Sequence, residues 1–207
     1  MSQELFMLTG PSPAFPAQTF AGALWPARAG TSAAFARGAV LVLLGSALLT
    51  LSAKVQVPFW PVPMTLQSLV VLMLGAAYGW RLGGLTVLAY LAEGAAGLPV
   101  FANTPPAAPG LAYFAGPTGG FLVGFVLAAM TTGVLAERGW DRTPLRLLAA
   151  MAIGHLVLFA PGVAWLSVLF GSGKAWSAGI EPFLLATLLK TALAAALMQA
   201  GWSILRR

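Results

Sequence analysis

Six apolar stretches dominate this sequence: Ala34 to Ala53, Met64 to Tyr78, Arg81 to Gly97, Gly119 to Ala136, Leu145 to Phe170 and Pro182 to Leu205. Each approaches or exceeds the roughly 17 to 25 residues that a membrane-crossing helix requires. Of the 207 residues, 59% are hydrophobic and only 8% are charged, with a mean hydropathy of +0.87. So little charge cannot cover a water-soluble globule, and the predicted fold class is an all-α integral membrane protein with six transmembrane helices. The second and third stretches are short, and "YGWR", Tyr78 to Arg81, resembles the middle of one long helix. The glycines there and Arg81 divide it into two. No motif recurs in the two halves, which argues against an inverted-repeat transporter.

The positive charges predict an orientation. With the N-terminus inside, Arg28, Arg37, Arg81, Arg138, Arg142, Arg146, Arg206 and Arg207 fall on the cytoplasmic side, and only Lys54 and Lys174 fall outside. This bias predicts six spans with both termini cytoplasmic, in a multi-pass protein of the inner or plasma membrane. Residues 1–33 read as a cytoplasmic N-terminal segment without the features of a signal peptide, and residues 34–207 as the transmembrane domain. The net charge of +6 does not indicate nucleic acid, because the basic residues neither cluster on one face nor alternate with aromatics. Cysteine is absent, which removes disulfide frameworks and thiolate metal sites.

In this orientation two outer loops are rich in proline and apolar residues: "VPFWPVPMT", Val57 to Thr65, and "GLPVFANTPPAAPGLAYFAGPTGG", Gly97 to Gly120. Proline restricts the backbone, so these loops are expected to form ordered covers over an outward-facing pocket. The plainer reading is an interfacial loop with Phe59, Trp60 and Phe101 at the headgroup level. Lys190 stands in the apolar run "LLATLLKTALAAALMQAG", where a lysine costs about 2.5 kcal/mol or more unless compensated. It lies ~12 Å along the helix from Pro182 at 1.5 Å per residue, and Glu93 lies ~18 Å from Arg81. Both charges therefore sit in the outer half. Lys190 either snorkels or pairs with Glu93, or it faces a pocket with Thr187 one turn away as a hydroxyl partner. Glu93 either meets headgroup water or joins the same pocket.

His155 reads as a neutral imidazole bonded to a neighbouring helix rather than as a proton relay. One histidine and five acids supply no metal-ligand cluster. "GPTGG", Gly116 to Gly120, lacks the lysine and hydroxyl of a phosphate loop, and no nucleophile pairs convincingly with His155, so an enzyme is not expected. No cofactor is expected either. Glycines four apart (Gly75, Gly79 and Gly83; Gly120 and Gly124) suit close helix packing, and Pro161 with Gly162 is expected to kink the fifth stretch.

Three segments, "VPFWPVPMTLQSLVVLMLGAAYGWRLGGL", "YLAEGAAGLPVFAN" and "GPTGGFLVGF", resemble in order and spacing the signature of the BioY family, the biotin-binding S components of energy-coupling factor (ECF) transporters. "PFLLATLLKTALA" is similar to that family's last-helix pattern. The resemblance covers roughly Ala34 to the C-terminus. It implies an S-component-like six-helix bundle, biotin captured from outside, and coupling to a transmembrane scaffold protein with two ATPases. Lys190 matches the last-helix lysine that contributes to the biotin site, and Asn103 matches the polar residue after "GLPVFA". Where the family pattern commonly carries aspartate, Thr187 stands here, and Glu93 is a candidate for the missing carboxylate. The small-residue pair with which S components dock is not clean; Ala34 with Gly38, or Ser46 with Thr50, would serve.

Biotin carries an apolar thioether ring and chain, a ureido group with two donors and one acceptor, and a carboxylate. Its pocket requires apolar walls and a few placed polar groups. Lys190, Asn103, Thr187, Glu93, Gln67 and Tyr90 are the expected contacts. Partners are thus biotin, membrane lipid and the ECF subunits, with self-association left open. The alternative is a self-sufficient biotin carrier or a proton-linked secondary transporter using Glu93, His155 and Lys190.

Overall fold

A computed structural model describes residues 19–26, 31–58, 60–107 and 110–205. Phe59 and the topology charges Arg28, Arg206 and Arg207 lie outside the described residues. Among the described residues ten regular elements follow one another, with three short 3-10 segments between them. They are α1 (Phe20–Leu24), α2 (Thr31–Lys54), β1 (Gln56–Val57), β2 (Met64–Thr65), α3 (Gln67–Tyr78), α4 (Trp80–Ala95), α5 (Gly119–Glu137), α6 (Pro144–Phe170), α7 (Ser172–Gly179) and α8 (Leu184–Leu205). The six longest helices occupy the six apolar stretches. Four helical stretches among the described residues are long and apolar enough to cross a membrane: Ser32–Lys54, Gly119–Glu137, Pro144–Phe170 and Ser172–Leu205. Gln67–Tyr78 is a shorter apolar helix.

α5 is the central helix, packed against α3, α4 and α6. Protein buries 56% of its apolar window, against 22% for that of α2 and for that of Ser172–Leu205. The apolar faces left uncovered include Leu43, Leu185 and Leu188, each more than 60% exposed. Helices that are apolar all round, with bare leucines on the outside, belong in hydrocarbon rather than water.

Small residues bring the inner helices together. A Cβ on Gly124 or Gly120 would collide with the backbone of α6 at Leu158 or Pro161, so α5 and α6 approach closely only because these positions are glycine. Between α3 and α4 the chain reverses at Gly79, whose φ of 83° lies in the region open to glycine. The "YGWR" segment is therefore a turn, and the first amide of α4, Trp80 N, donates to Glu137 Oε1 at 3.1 Å. A carboxylate at that position suits the positive end of a helix.

Four elements were not apparent in the sequence. β1 and β2 form a two-residue antiparallel ladder, Gln56 opposite Thr65 and Val57 opposite Met64, that closes the first proline-rich loop at its base. α7 occupies what reads as a loop, flanked by Gly171 and Gly179. Part of the N-terminal segment is helical: α1 lies against α8 through an edge-to-face contact of Phe20 with Trp202 at 5.2 Å, and Arg37 of α2 donates to its Ala21 and Trp25 carbonyls.

The same end of the bundle is clasped by Asp141, in the turn between α5 and α6. Its Oδ2 accepts from Trp202 Nε1 at 2.8 Å, its carbonyl accepts from Gln199 Nε2 at 3.0 Å, and Arg142 Nε lies 3.4 Å from its Oδ1. The Arg142 guanidinium stacks 3.7 Å above the Trp202 ring. Burial raises the Asp141 carboxyl above its ordinary value, against the opposing pull of Arg142 and Trp202.

Candidate ligand-binding site

The opposite end of the bundle carries both proline-rich loops and a cavity. Its atom-free space is about 590 Å³ including the open mouth. The walls are aromatic and aliphatic: Phe121, Leu122 and Phe125 of α5, Leu158 and Phe159 of α6, Phe183 before α8, and Phe101, Ala102 and Tyr113 from the loop between α4 and α5. Polar groups enter from Thr65, Gln67, Ser68, Tyr90, Thr118, Thr187 and Lys190. Mostly apolar walls with a few convergent polar groups are the usual make-up of a small-molecule site.

The start of α3 positions one polar edge. Thr65 Oγ1 accepts from Gln67 N at 3.2 Å and donates to Gln67 Oε1 at 3.2 Å. Gln67 Nε2 then donates to Tyr90 Oη at 2.8 Å, and Tyr90 donates to the Val100 carbonyl at 3.1 Å. The chain of bonds thus runs from β2 through α3 and α4 into the second outer loop. Tyr90 is fully buried, so an unmet hydroxyl there would carry the full desolvation cost.

Lys190 enters from α8. Its ammonium donates to the Thr65 carbonyl at 2.6 Å and to Ser68 Oγ at 3.3 Å. Both acceptors are neutral, and no acidic side chain lines the cavity among the described residues. An ammonium carries three donors, so one N–H and an uncompensated charge remain for a ligand acceptor. On the loop side, Phe101 stacks on Tyr113 at 4.6 Å and meets Tyr90 edge-on at 5.4 Å. Tyr113 Oη donates to the Ala102 carbonyl at 2.9 Å; burial pushes this hydroxyl above the ordinary tyrosine value, which keeps it a neutral donor.

Of the six side chains expected to contact ligand, Lys190, Thr187, Gln67 and Tyr90 line the cavity, whereas Asn103 and Glu93 do not. Asn103 has a φ of 58°, and its Oδ1 is taken by Gln56 Nε2 at 2.8 Å. It lines a shallower groove with Pro61, Ala107 and Pro117, which shares Pro63, Tyr113 and Thr118 with the cavity. Glu93 is turned to α2, where it accepts a short bond from Ser46 Oγ. The alternative in which Lys190 pairs with Glu93 is therefore not realised, and the hydroxyl that reaches Lys190 belongs to Ser68 instead of Thr187. Ser68, Thr65 and Tyr113 were missed. Phe101, read as a possible headgroup contact, is 1% exposed in the cavity wall, while Trp60 is 75% exposed. His155 lies between α6 and α8, with Nδ1 3.0 Å from Thr191 Oγ1 and 3.1 Å from the Met151 carbonyl.

Comparison with known proteins gives this geometry a family. The BioY family model matches residues 21–207. A probable biotin transporter BioY of Pyrococcus horikoshii is 36% identical over 154 residues, 74% of this chain and 89% of the relative. The biotin transporter BioY of Rhizobium etli is 40% identical over 171 residues, 78% of this chain and 87% of the relative. Among solved structures, the S component for biotin from an ECF-type ABC transporter superposes with a TM-score of 0.72 at 22% identity, covering 83% of this chain and 94% of that one. The chain thus shares the S-component fold, and by its sequence it belongs to the BioY family, a family of membrane transport proteins rather than enzymes.

Proposed function

We propose that this chain binds biotin in the cavity beneath its two proline-rich loops and serves as the substrate-capturing subunit of biotin uptake. The observation that carries the reading is Lys190, among the described residues the one charged side chain on the cavity wall, held by two neutral acceptors with donor capacity to spare. The aromatic walls suit the thioether ring and the aliphatic chain. Lys190 suits either the carboxylate or the ureido oxygen, with Thr187, Gln67 and Tyr90 as further contacts. Asn103 and Glu93 stand outside this contact set. Relatives named biotin transporters support the choice of ligand.

In this reading six helices span the membrane, both termini are cytoplasmic and the cavity faces outward, in agreement with the distribution of Lys and Arg. Energy comes from a transmembrane scaffold protein with two ATPases. One surface for it is narrowed by the position of Ser46, which is 1% exposed and bonded to Glu93. Ala34 and Gly38 remain at the surface of α2, with nothing within 4 Å of a Cβ built on Gly38. Uptake without these partners is the second reading.

Calorimetric titration of biotin into the purified chain tests the central claim. One-site binding is expected. A folded protein that gives no heat and gains no thermal stability with biotin would refute the ligand assignment. Uptake that persists without the ATPases and collapses with the proton gradient would replace the ECF reading with a proton-linked carrier.

A further inference from the structure

Lys54 is the last residue of α2, and its side chain crosses to the loop between α4 and α5. Its ammonium lies 2.7 Å from the Pro99 carbonyl, 2.8 Å from that of Phe101, 2.6 Å from that of Thr104 and 3.3 Å from Thr104 Oγ1. The chemistry of the two partners is complementary. Pro99, Pro105 and Pro106 have carbonyls but no N–H, so the segment from Gly97 to Pro106 is rich in acceptors and short of donors. An ammonium has three donors and no acceptor. The loop thus curls three carbonyls around one point, and α2 supplies the cation that fills it.

Gln56, two residues beyond Lys54, holds the same segment through its bond to Asn103, between the Lys54-held residues Phe101 and Thr104. Phe101 and Ala102, within the stretch so held, are both on the cavity wall. The Phe101 carbonyl is itself one of the atoms Lys54 holds, while its ring is wedged between Tyr90 and Tyr113. One residue therefore links the end of α2 to the side chain that closes the cavity.

We propose that Lys54 is a positioning residue for ligand retention: by clamping the Pro99, Phe101 and Thr104 carbonyls to the end of α2, it fixes Phe101 as the wall behind which the ligand is held. α2 packs chiefly against α4 and α3, and most of its length is bare of protein. A shift of α2 relative to the bundle is transmitted through Lys54 to Phe101, which gives the lipid-facing helix a handle on the binding site. The retention part of this inference rests on the biotin reading above; the clamp itself does not.

The test uses the full chain in lipid nanodiscs, with Lys54→Met, Lys54→Arg and, as a control, Lys174→Met on the exposed face of α7. Amide hydrogen exchange of residues 97–107 is measured without ligand, and radiolabelled biotin dissociation is measured by chase. Lys54→Met should accelerate both, dissociation by about tenfold or more, the scale of one charged hydrogen bond. Lys54→Arg should recover part of each rate, and Lys174→Met should change neither. A purely structural role would lower the thermal midpoint of Lys54→Met and leave dissociation within about twofold of the parent; that result overturns the proposal. Unchanged exchange at 97–107 overturns the clamp even if the parent chain proves not to bind biotin, an outcome that would refute the function separately. If Lys54→Met does not fold, Gln56→Ala, expected to accelerate both rates to a smaller degree, decides by the same criteria.

Discussion

The ammonium of Lys190 donates to the carbonyl oxygen of Thr65 at 2.6 Å, across 125 positions of sequence. This bond ties α8 to the entrance of α3 and solves the problem of a lysine inside an apolar helix. The carbonyl is free to accept because Thr65 ends β2 just ahead of α3. The site therefore exists only where the last helix and the first outer loop meet.

Replacing Lys190 with alanine should weaken biotin binding by about tenfold or more, because a charged hydrogen bond to the ligand is lost. Lys190→Met, which keeps most of the apolar stem, should lose nearly as much. Calorimetry on the two variants separates charge from packing; retention of parental affinity by Lys190→Ala would remove the residue from the site.

Tyr90→Phe leaves the Val100 carbonyl and Gln67 Nε2 without the hydroxyl that joins them. The expected loss of stability is about 1–3 kcal/mol, the cost of unmet buried polar groups. Thermal unfolding in detergent measures it. A midpoint equal to that of the parent would mean that these groups find other partners.

Gly124→Ala should force α5 away from α6, since the added methyl meets the Leu158 backbone. Overpacking of this kind costs about 1–3 kcal/mol, and here Leu158 also lines the cavity, so both stability and ligand affinity should fall. Val123→Ala, on the neighbouring exposed face, should change affinity little. Equal effects of the two substitutions would contradict the close α5–α6 contact.

Asp141 predicts a pH dependence at the other end of the molecule. Its carboxyl is raised on folding by burial, so the folded state holds this proton to higher pH than the unfolded chain does. Stability should accordingly fall as pH rises from the ordinary value of 3.8 to the folded one and stay level above it. Asp141→Asn keeps an oxygen acceptor for Trp202 and should flatten this part of the profile. The check is the thermal midpoint against pH for both proteins; identical slopes would show that Asp141 does not set them.

The placement of the long helices was legible because each is specified locally: α5, for instance, reads as an uninterrupted apolar run from Gly119 with glycines on its packing face. α7 was not legible, since eight residues with a lysine and two serines look like a loop until the neighbouring helices hold them. The β1–β2 ladder was hidden by its shortness, and α1 by the proline-rich context around it. In the site, Lys190 announced itself by its cost in an apolar helix. Ser68 and Thr65 gave no such signal, because a hydroxyl or a carbonyl at the start of a helix is ordinary until a distant ammonium arrives. Glu93 carried the same signal as Lys190 and belongs to a different interface, that of α4 with Ser46 of α2.

Composition and the length of its apolar runs were enough to determine that this chain forms a bundle of apolar helices, because hydrocarbon demands that each helix satisfy its own backbone within a contiguous segment. The ordered motifs were enough to point to the BioY family. Which charged side chain faces the ligand cavity, which faces another helix, and which grips a loop was decided only by the tertiary structure. Helix rotation and long-range contacts place Lys190 beside Thr65, Glu93 beside Ser46 and Lys54 beside Phe101, and none of these pairs is near in sequence.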